Sequence, residues 1–287
     1  MNYSLGLYEK AIPVGFDFPK MFQIARECGF DRLEISVDET DWRQERLDWD
    51  ASKQRELGML SRAMGTPLLT MCLSGHRKYP LGSHDPLVRA RGLEIMDKAI
   101  RLADNTGISI IQLAGYDVYY EEGDEDTRKW FSENLRKSVE MAAKAGVILA
   151  FETMETPFMD TVGKAMKYVN EVDSPWLGVY PDIGNLENAA VLYGTDLVED
   201  LFLGAGHTFA MHLKETKPGL YRDMNFGDPE GHTEYERGIE AALRMGVRLF
   251  TGEFWYQKGQ NYIETITQSS SFLRNKIETV AAKIENE

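Results

Sequence analysis

Glu152, Asp182, His212 and Glu253 stand 30, 30 and 41 residues apart, each at or near the end of a short apolar run. The runs read VILAFE, LGVYPD, TFAMHLKE and RLFTGEFW. Three carboxylates and one imidazole make a donor set for one divalent cation. Three oxygens and a nitrogen suit Zn²⁺ or Mn²⁺, and also Co²⁺, better than Ca²⁺. Without a cation, three clustered carboxylates repel one another and lose hydration. Taken singly, each residue has an ordinary explanation. An acid after a strand is commonly a helix N-cap, and a lone histidine a satisfied core residue. One such group on each of four consecutive units is harder to obtain by accident.

The elements that must position them are legible as an alternation. Candidate strands cover 3–8, 32–37, 67–73, 109–114, 147–152, 177–181, 208–213 and 248–253. Most are continuous apolar runs, as expected of parallel strands buried on both faces. Amphipathic stretches lie between them at about 17–28, 51–65, 84–106, 125–145, 160–170, 191–204, 233–245 and 260–284. Asp50-Ala51-Ser52 opens the second, and Ser83 with Asp85-Pro86 opens the third. Gly29, Gly107, Gly146 and Gly246 read as C-caps.

Eight βα units of about 36 residues each predict an α/β fold, a single (β/α)₈ TIM barrel spanning residues 1–287 as one domain. An open doubly wound sheet is the alternative, but no G-x-G-x-x-G follows the first strand. In a barrel, chemistry sits at the C-terminal ends of the strands. Neighbouring parallel strands lie about 4.8 Å apart, so four such ends can converge on one ion.

Composition narrows the function. The formal net charge of −14 argues against a nucleic-acid partner, whose binding rests on phosphate neutralisation. No apolar run is long enough to span a bilayer, no basic cluster suggests a membrane surface, and no signal peptide is visible. A cytoplasmic location is expected. Cys28 and Cys72 form no motif and read as small buried hydrophobes.

The chemistry that fits is proton abstraction next to a carbonyl. A ketose offering its C2 carbonyl and C3 hydroxyl oxygens to the ion would lose its C3 proton to give an enediolate, which the ion's charge stabilises. Inversion needs one group to remove the proton and another to return it to the opposite face. Glu152 and Glu253 end the fifth and eighth strands and can flank the ion for this purpose. A phosphate would need cations or a helix N-terminus. Lys10, His76, Arg77, Ser83 and Lys214 are the candidates, with Lys78, Lys217 and Arg222 on the same loops. Aromatics at 115–120 and at Phe254-Trp255 can stack on a sugar or simply pack.

The stretches LGLYEKAIP, EISVDETD, MCLSGHRKYPLGS, RARGLEIMDKAI, IQLAGYDVYY, YPDIGNL and HLKETKPG carry a wider likeness. On them the sequence resembles the L-ribulose-5-phosphate 3-epimerases of L-ascorbate and related pentose catabolism, xylose-isomerase-like TIM barrels. The resemblance implies a metal site on Glu152, Asp182, His212 and Glu253, with the two glutamates as the proton-transfer pair. It implies interconversion of L-xylulose 5-phosphate and L-ribulose 5-phosphate. Two segments depart from the family pattern, FETMETPFMD and NFGDPEGHTEY, and the second leaves substrate contacts around 222–235 open. Rival readings are an epimerase or isomerase of a free ketose, a metal-dependent phosphodiesterase and a non-catalytic sugar-binding protein. A homodimer is the default assembly.

Overall fold

Eight short parallel strands alternate with helices along the chain, whose computed structural model describes residues 1–287. In order these are β1 (Ser4–Tyr8), α1 (Phe18–Glu27), β2 (Arg32–Val37), α2 (Asp41–Gln44), α3 (Ala51–Ala63), β3 (Thr70–Leu73), α4 (Pro86–Thr106), β4 (Ile110–Ala114) and α5 (Glu125–Ala145). There follow β5 (Ile148–Glu152), α6 (Val162–Val172), β6 (Leu177–Val179), α7 (Ile183–Tyr193), α8 (Leu197–Phe202), β7 (Met211–Leu213), α9 (Tyr235–Arg244), β8 (Leu249–Gly252) and α10 (Tyr262–Glu285).

The strands form one sheet in the order β6-β5-β4-β3-β2-β1-β8-β7. Its outer strands meet through parallel bridges between Val179 and Thr208 and between Asp182 and His212. Backbone N–H groups of Val179, Phe209 and His212 donate across that seam at 2.9–3.1 Å. The expected (β/α)₈ barrel is therefore present, with a short seam between β6 and β7.

Side-chain alternation sorts the strands. On β2, Leu33, Ile35 and Val37 enter the main apolar core of 61 buried residues. Arg32, Glu34 and Ser36, equally buried, face the barrel axis. The interior is thus more polar than continuous apolar runs suggested. Arg32 donates to Thr70 Oγ1 at 2.7 Å, and to Thr251 Oγ1 and the Phe250 carbonyl at 2.8 Å. These bonds cross the barrel floor and satisfy a charge that would otherwise be costly to bury.

Helix starts follow local chemistry. Asp50, Asp85 and Asp124 accept N–H bonds from the first turns of α3, α4 and α5, each worth about 1 kcal/mol. Gly107 and Gly146 cap α4 and α5 in the left-handed conformation. One region differs from expectation. The helix foreseen at 191–204 is two helices, α7 and α8, and α7 starts directly after Asp182. The Asp182 side chain accepts the Asn185 N–H at 2.7 Å and caps the first turn. Gly184 allows the close approach this start requires. A Cβ there would stand 2.8 Å from the Lys214 carbonyl oxygen.

Candidate active site

Glu152, Asp182, His212 and Glu253 converge at the C-terminal rim, their donor atoms all within 4.8 Å of one another. His212 Nδ1 lies 3.4 Å from Glu152 Oε1, 3.4 Å from Glu253 Oε2 and 3.9 Å from Asp182 Oδ2. Glu152 and Glu253 approach Nδ1 from β5 and from the end of β8. All four residues are buried.

Each is fixed by its own strand end. Glu152 closes β5, and the Glu253 N–H donates to the Leu213 carbonyl at 2.8 Å. The Asp182 N–H donates to Thr153 Oγ1 at 3.0 Å, and Asn185 Nδ2 to the Thr153 carbonyl at 2.7 Å. His212 Nε2 sits 2.6 Å from Glu34 Oε1. With an ion bound, a neutral imidazole keeping its proton on Nε2 would turn the Nδ1 lone pair toward the three carboxylates, on the side where Gln112 Nε2 also lies at 3.1 Å.

The donor set fits one divalent ion. Asp182 Oδ2 is buried and meets no hydrogen-bond donor in good geometry, its nearest cation being the Lys214 ammonium at 3.1 Å. Burial, and then the neighbouring Glu253 charge, push Glu152 above the usual carboxylate range. Burial pushes Asp182 up to about 8, against the pull of Lys214. Glu253 falls well below its ordinary value. Burial opposes that shift, but the cations of Lys214 and His212 outweigh it. Three carboxylates this close are stable as anions only with added positive charge; Lys214 supplies part of it, and a divalent ion would supply the rest.

A cleft opens above the site, with Glu152 and Glu253 in its lining. Lys10, Arg77, Lys214 and Arg222 line it, together with Tyr8, Glu155, Asn185 and Trp255. Lys10 is held by Asp38 at 2.9 Å. Arg77 lies over the Tyr119 ring at 4.8 Å and donates to Tyr116 Oη at 3.2 Å, while its buried Nε has no partner. Lys214 Nζ is 3.1 Å from Asp182 Oδ2 and 3.2 Å from Glu253 Oε2, so it neutralises the carboxylates as well as facing the cleft.

Two residues expected to bind phosphate lie elsewhere. His76 turns into an apolar cavity beside Leu81, Met96 and Phe131, where Nε2 donates to the Gly92 carbonyl at 3.0 Å. It follows Gly75 in a 3₁₀ turn that sends Arg77 to the cleft and His76 to the core. Ser83 is buried in the turn before α4, its Oγ accepting the Asp85 N–H at 3.2 Å. Arg222 and Glu34 are the reverse case. Arg222 stood out only as one loop cation among several. Glu34 is hidden inside the apolar run RLEISV, where attention to strand ends does not look. The segment after Arg222 folds back on its stem, with the His232 N–H donating to the Thr216 carbonyl and Thr233 Oγ1 to the Lys214 carbonyl, both at 3.0 Å.

A xylose isomerase-like TIM barrel family model matches residues 22–276. An Escherichia coli protein, L-ribulose-5-phosphate 3-epimerase UlaE, is 42% identical over 276 residues, covering 95% of this chain and 94% of its own. The Escherichia fergusonii protein of the same name matches to the same extent. The chain belongs to the L-ribulose-5-phosphate 3-epimerase family of xylose isomerase-like TIM barrels.

Among solved structures, an L-ribulose 3-epimerase superposes with a TM-score of 0.80 at 17% identity, covering 99% of this chain and 97% of that one. A D-psicose 3-epimerase solved in the presence of D-fructose gives 0.75 at 13%, covering 96% and 97%. At such identities the likeness shows the shared barrel alone. No helix of the chain is long and apolar enough to cross a membrane.

Proposed function

We propose that this family member is a metal-dependent 3-epimerase that interconverts L-xylulose 5-phosphate and L-ribulose 5-phosphate. The observation that carries the reading is the pair of carboxylates at 3.4 Å on His212 Nδ1, reached from β5 and from the end of β8, at the floor of a cleft lined with cations. The 42% identity to L-ribulose-5-phosphate 3-epimerases supports the substrate class.

A divalent ion on Glu152, Asp182, His212 and Glu253 supplies charge stabilisation for the ketose oxygens when C3 loses its proton. The protein's own groups do the rest. Glu152 and Glu253 exchange the C3 proton on opposite faces, each acting as base in one direction and acid in the other. Lys10, Arg77 and Arg222 bind the phosphate, and three cations lining one cleft of a chain with net charge −14 favour a phosphorylated sugar over a free one. Lys214 remains beside the carboxylates. Trp255 and Tyr8, edge to face at 6.0 Å, wall the sugar.

The reading carries a cytoplasmic location and a homodimer. The test is to follow L-ribulose 5-phosphate and free L-ribulose separately by NMR. The reading expects epimer formation from the phosphate at far higher kcat/KM. A strong preference for the free sugar contradicts it.

A further inference from the structure

We infer that Glu34 is a positioning residue for the metal centre, holding His212 in the tautomer and orientation that present Nδ1 to the ion. The inference rests on the ligand set proposed above and adds a group outside it. Glu34 lies on β2, across the barrel from β7, and is fully buried. Its Oε1 is 2.6 Å from His212 Nε2. Its Oε2 accepts from Thr70 Oγ1 at 2.5 Å, Tyr180 Oη at 2.8 Å and Thr251 Oγ1 at 3.4 Å.

Every other polar neighbour of this carboxylate is a donor directed at Oε2. Oε1 is thereby left to the imidazole, and an ionised carboxylate can only accept. The Nε2 proton is therefore fixed by an acceptor that no alternative donor competes for. Thr70 and Thr251 also receive Arg32, whose guanidinium backs the carboxylate through both hydroxyls. The Tyr180 ring stands edge-on to the imidazole at 4.9 Å and limits its rotation. A chain of buried groups thus runs from Arg32 through Glu34 to His212 Nδ1. A purely structural ion pair would need neither the exclusive Oε1 contact nor an aromatic ring set edge-on against the imidazole. Partners of this kind set ligand basicity and orientation, and their loss typically costs 10–100-fold in metal affinity.

The test uses the full-length protein stripped with chelator, titrated with Mn²⁺ and followed by the EPR signal of the free ion. Melting of the metal-free forms is recorded alongside. Glu34→Gln retains an acceptor and the side-chain shape but not the charge. The expected result is a dissociation constant raised about 10- to 100-fold, with metal-free melting close to wild type. A dissociation constant within twofold of wild type overturns the role of Glu34 alone. Wild-type protein that binds no Mn²⁺ overturns the ligand set and this role together. ¹⁵N-histidine spectra of Zn²⁺-loaded wild type decide the matter without a variant. A proton on His212 Nε2 is expected, and a proton on Nδ1 overturns the inference.

Discussion

Asp182 and His212 face each other across the seam that closes the barrel, paired in a parallel bridge, with the His212 N–H donating to the Pro181 carbonyl at 2.9 Å. Asp182 divides its carboxylate between two tasks. Oδ1 caps α7 at 2.7 Å from the Asn185 N–H, and Oδ2 points at the ion site. Asp182→Asn separates them, because Asn caps a helix as well as Asp but carries no charge. Metal-free melting of this variant should stay within a few degrees of wild type. Its Mn²⁺ dissociation constant should rise by roughly two orders of magnitude or more, beyond the loss expected for an outer-shell partner, because the cap keeps the amide oxygen and turns the NH₂ toward the ion. Asp182→Ala should lose the cap as well, at about 1 kcal/mol. An Asn variant binding Mn²⁺ like wild type would show that Asp182 is only a cap.

Glu152→Gln and Glu253→Gln should each lower kcat by about 10²–10⁴, the usual contribution of a positioned acid or base. Each should keep much of its metal binding, since an amide oxygen still faces the ion. Turnover and Mn²⁺ titration on the same samples check this. Near-normal turnover in either variant removes that glutamate from the proton path.

The proposed phosphate contacts make a different prediction. Arg77→Met and Lys10→Met should each raise KM for the phosphorylated ketose about tenfold or more, the cost of one charge-assisted hydrogen bond. Turnover of the free sugar should hardly change. Arg77→Lys should not rescue fully, because the planar guanidinium lies over Tyr119 in a way an ammonium cannot reproduce. Equal losses on both sugars would mean that these cations only shape the cleft.

The four ligands were legible because each ends an apolar run, one per unit, and the barrel follows from the same period. Distinguishing neighbours within one turn was beyond reach. His76 and Arg77 are adjacent, yet a single 3₁₀ turn sends one to the core and the other to the cleft. The start of α7 was hidden because its cap is itself a ligand candidate followed by turn-forming residues. Glu34 was hidden because an acid in mid-strand finds its partners on three other strands and just past the end of β6, which no local pattern reveals.

His76 gives a pH dependence unrelated to the metal. Burial lowers it from its ordinary value to about 4, against the Gly92 hydrogen bond, which acts to raise it. The unfolded chain therefore binds the proton more readily between about pH 6.5 and pH 4. The stability from a neutral His76 is complete above pH 6.5 and is lost as pH falls through about 4. The loss amounts to about 3 kcal/mol. Urea unfolding across this range, compared with His76→Gln, should show wild type losing that much more. Parallel curves for the two proteins would mean that His76 keeps its proton when folded.

The central claim is that a metal-dependent proton exchange at C3 is the reaction. Incubation of L-xylulose 5-phosphate in D₂O should place one deuterium at C3 of the L-ribulose 5-phosphate formed, as read by NMR. Chelator should abolish both exchange and product, and added Mn²⁺ or Zn²⁺ should restore them together. Product that keeps its original C3 hydrogen, or exchange that continues in the chelated protein, would contradict the account.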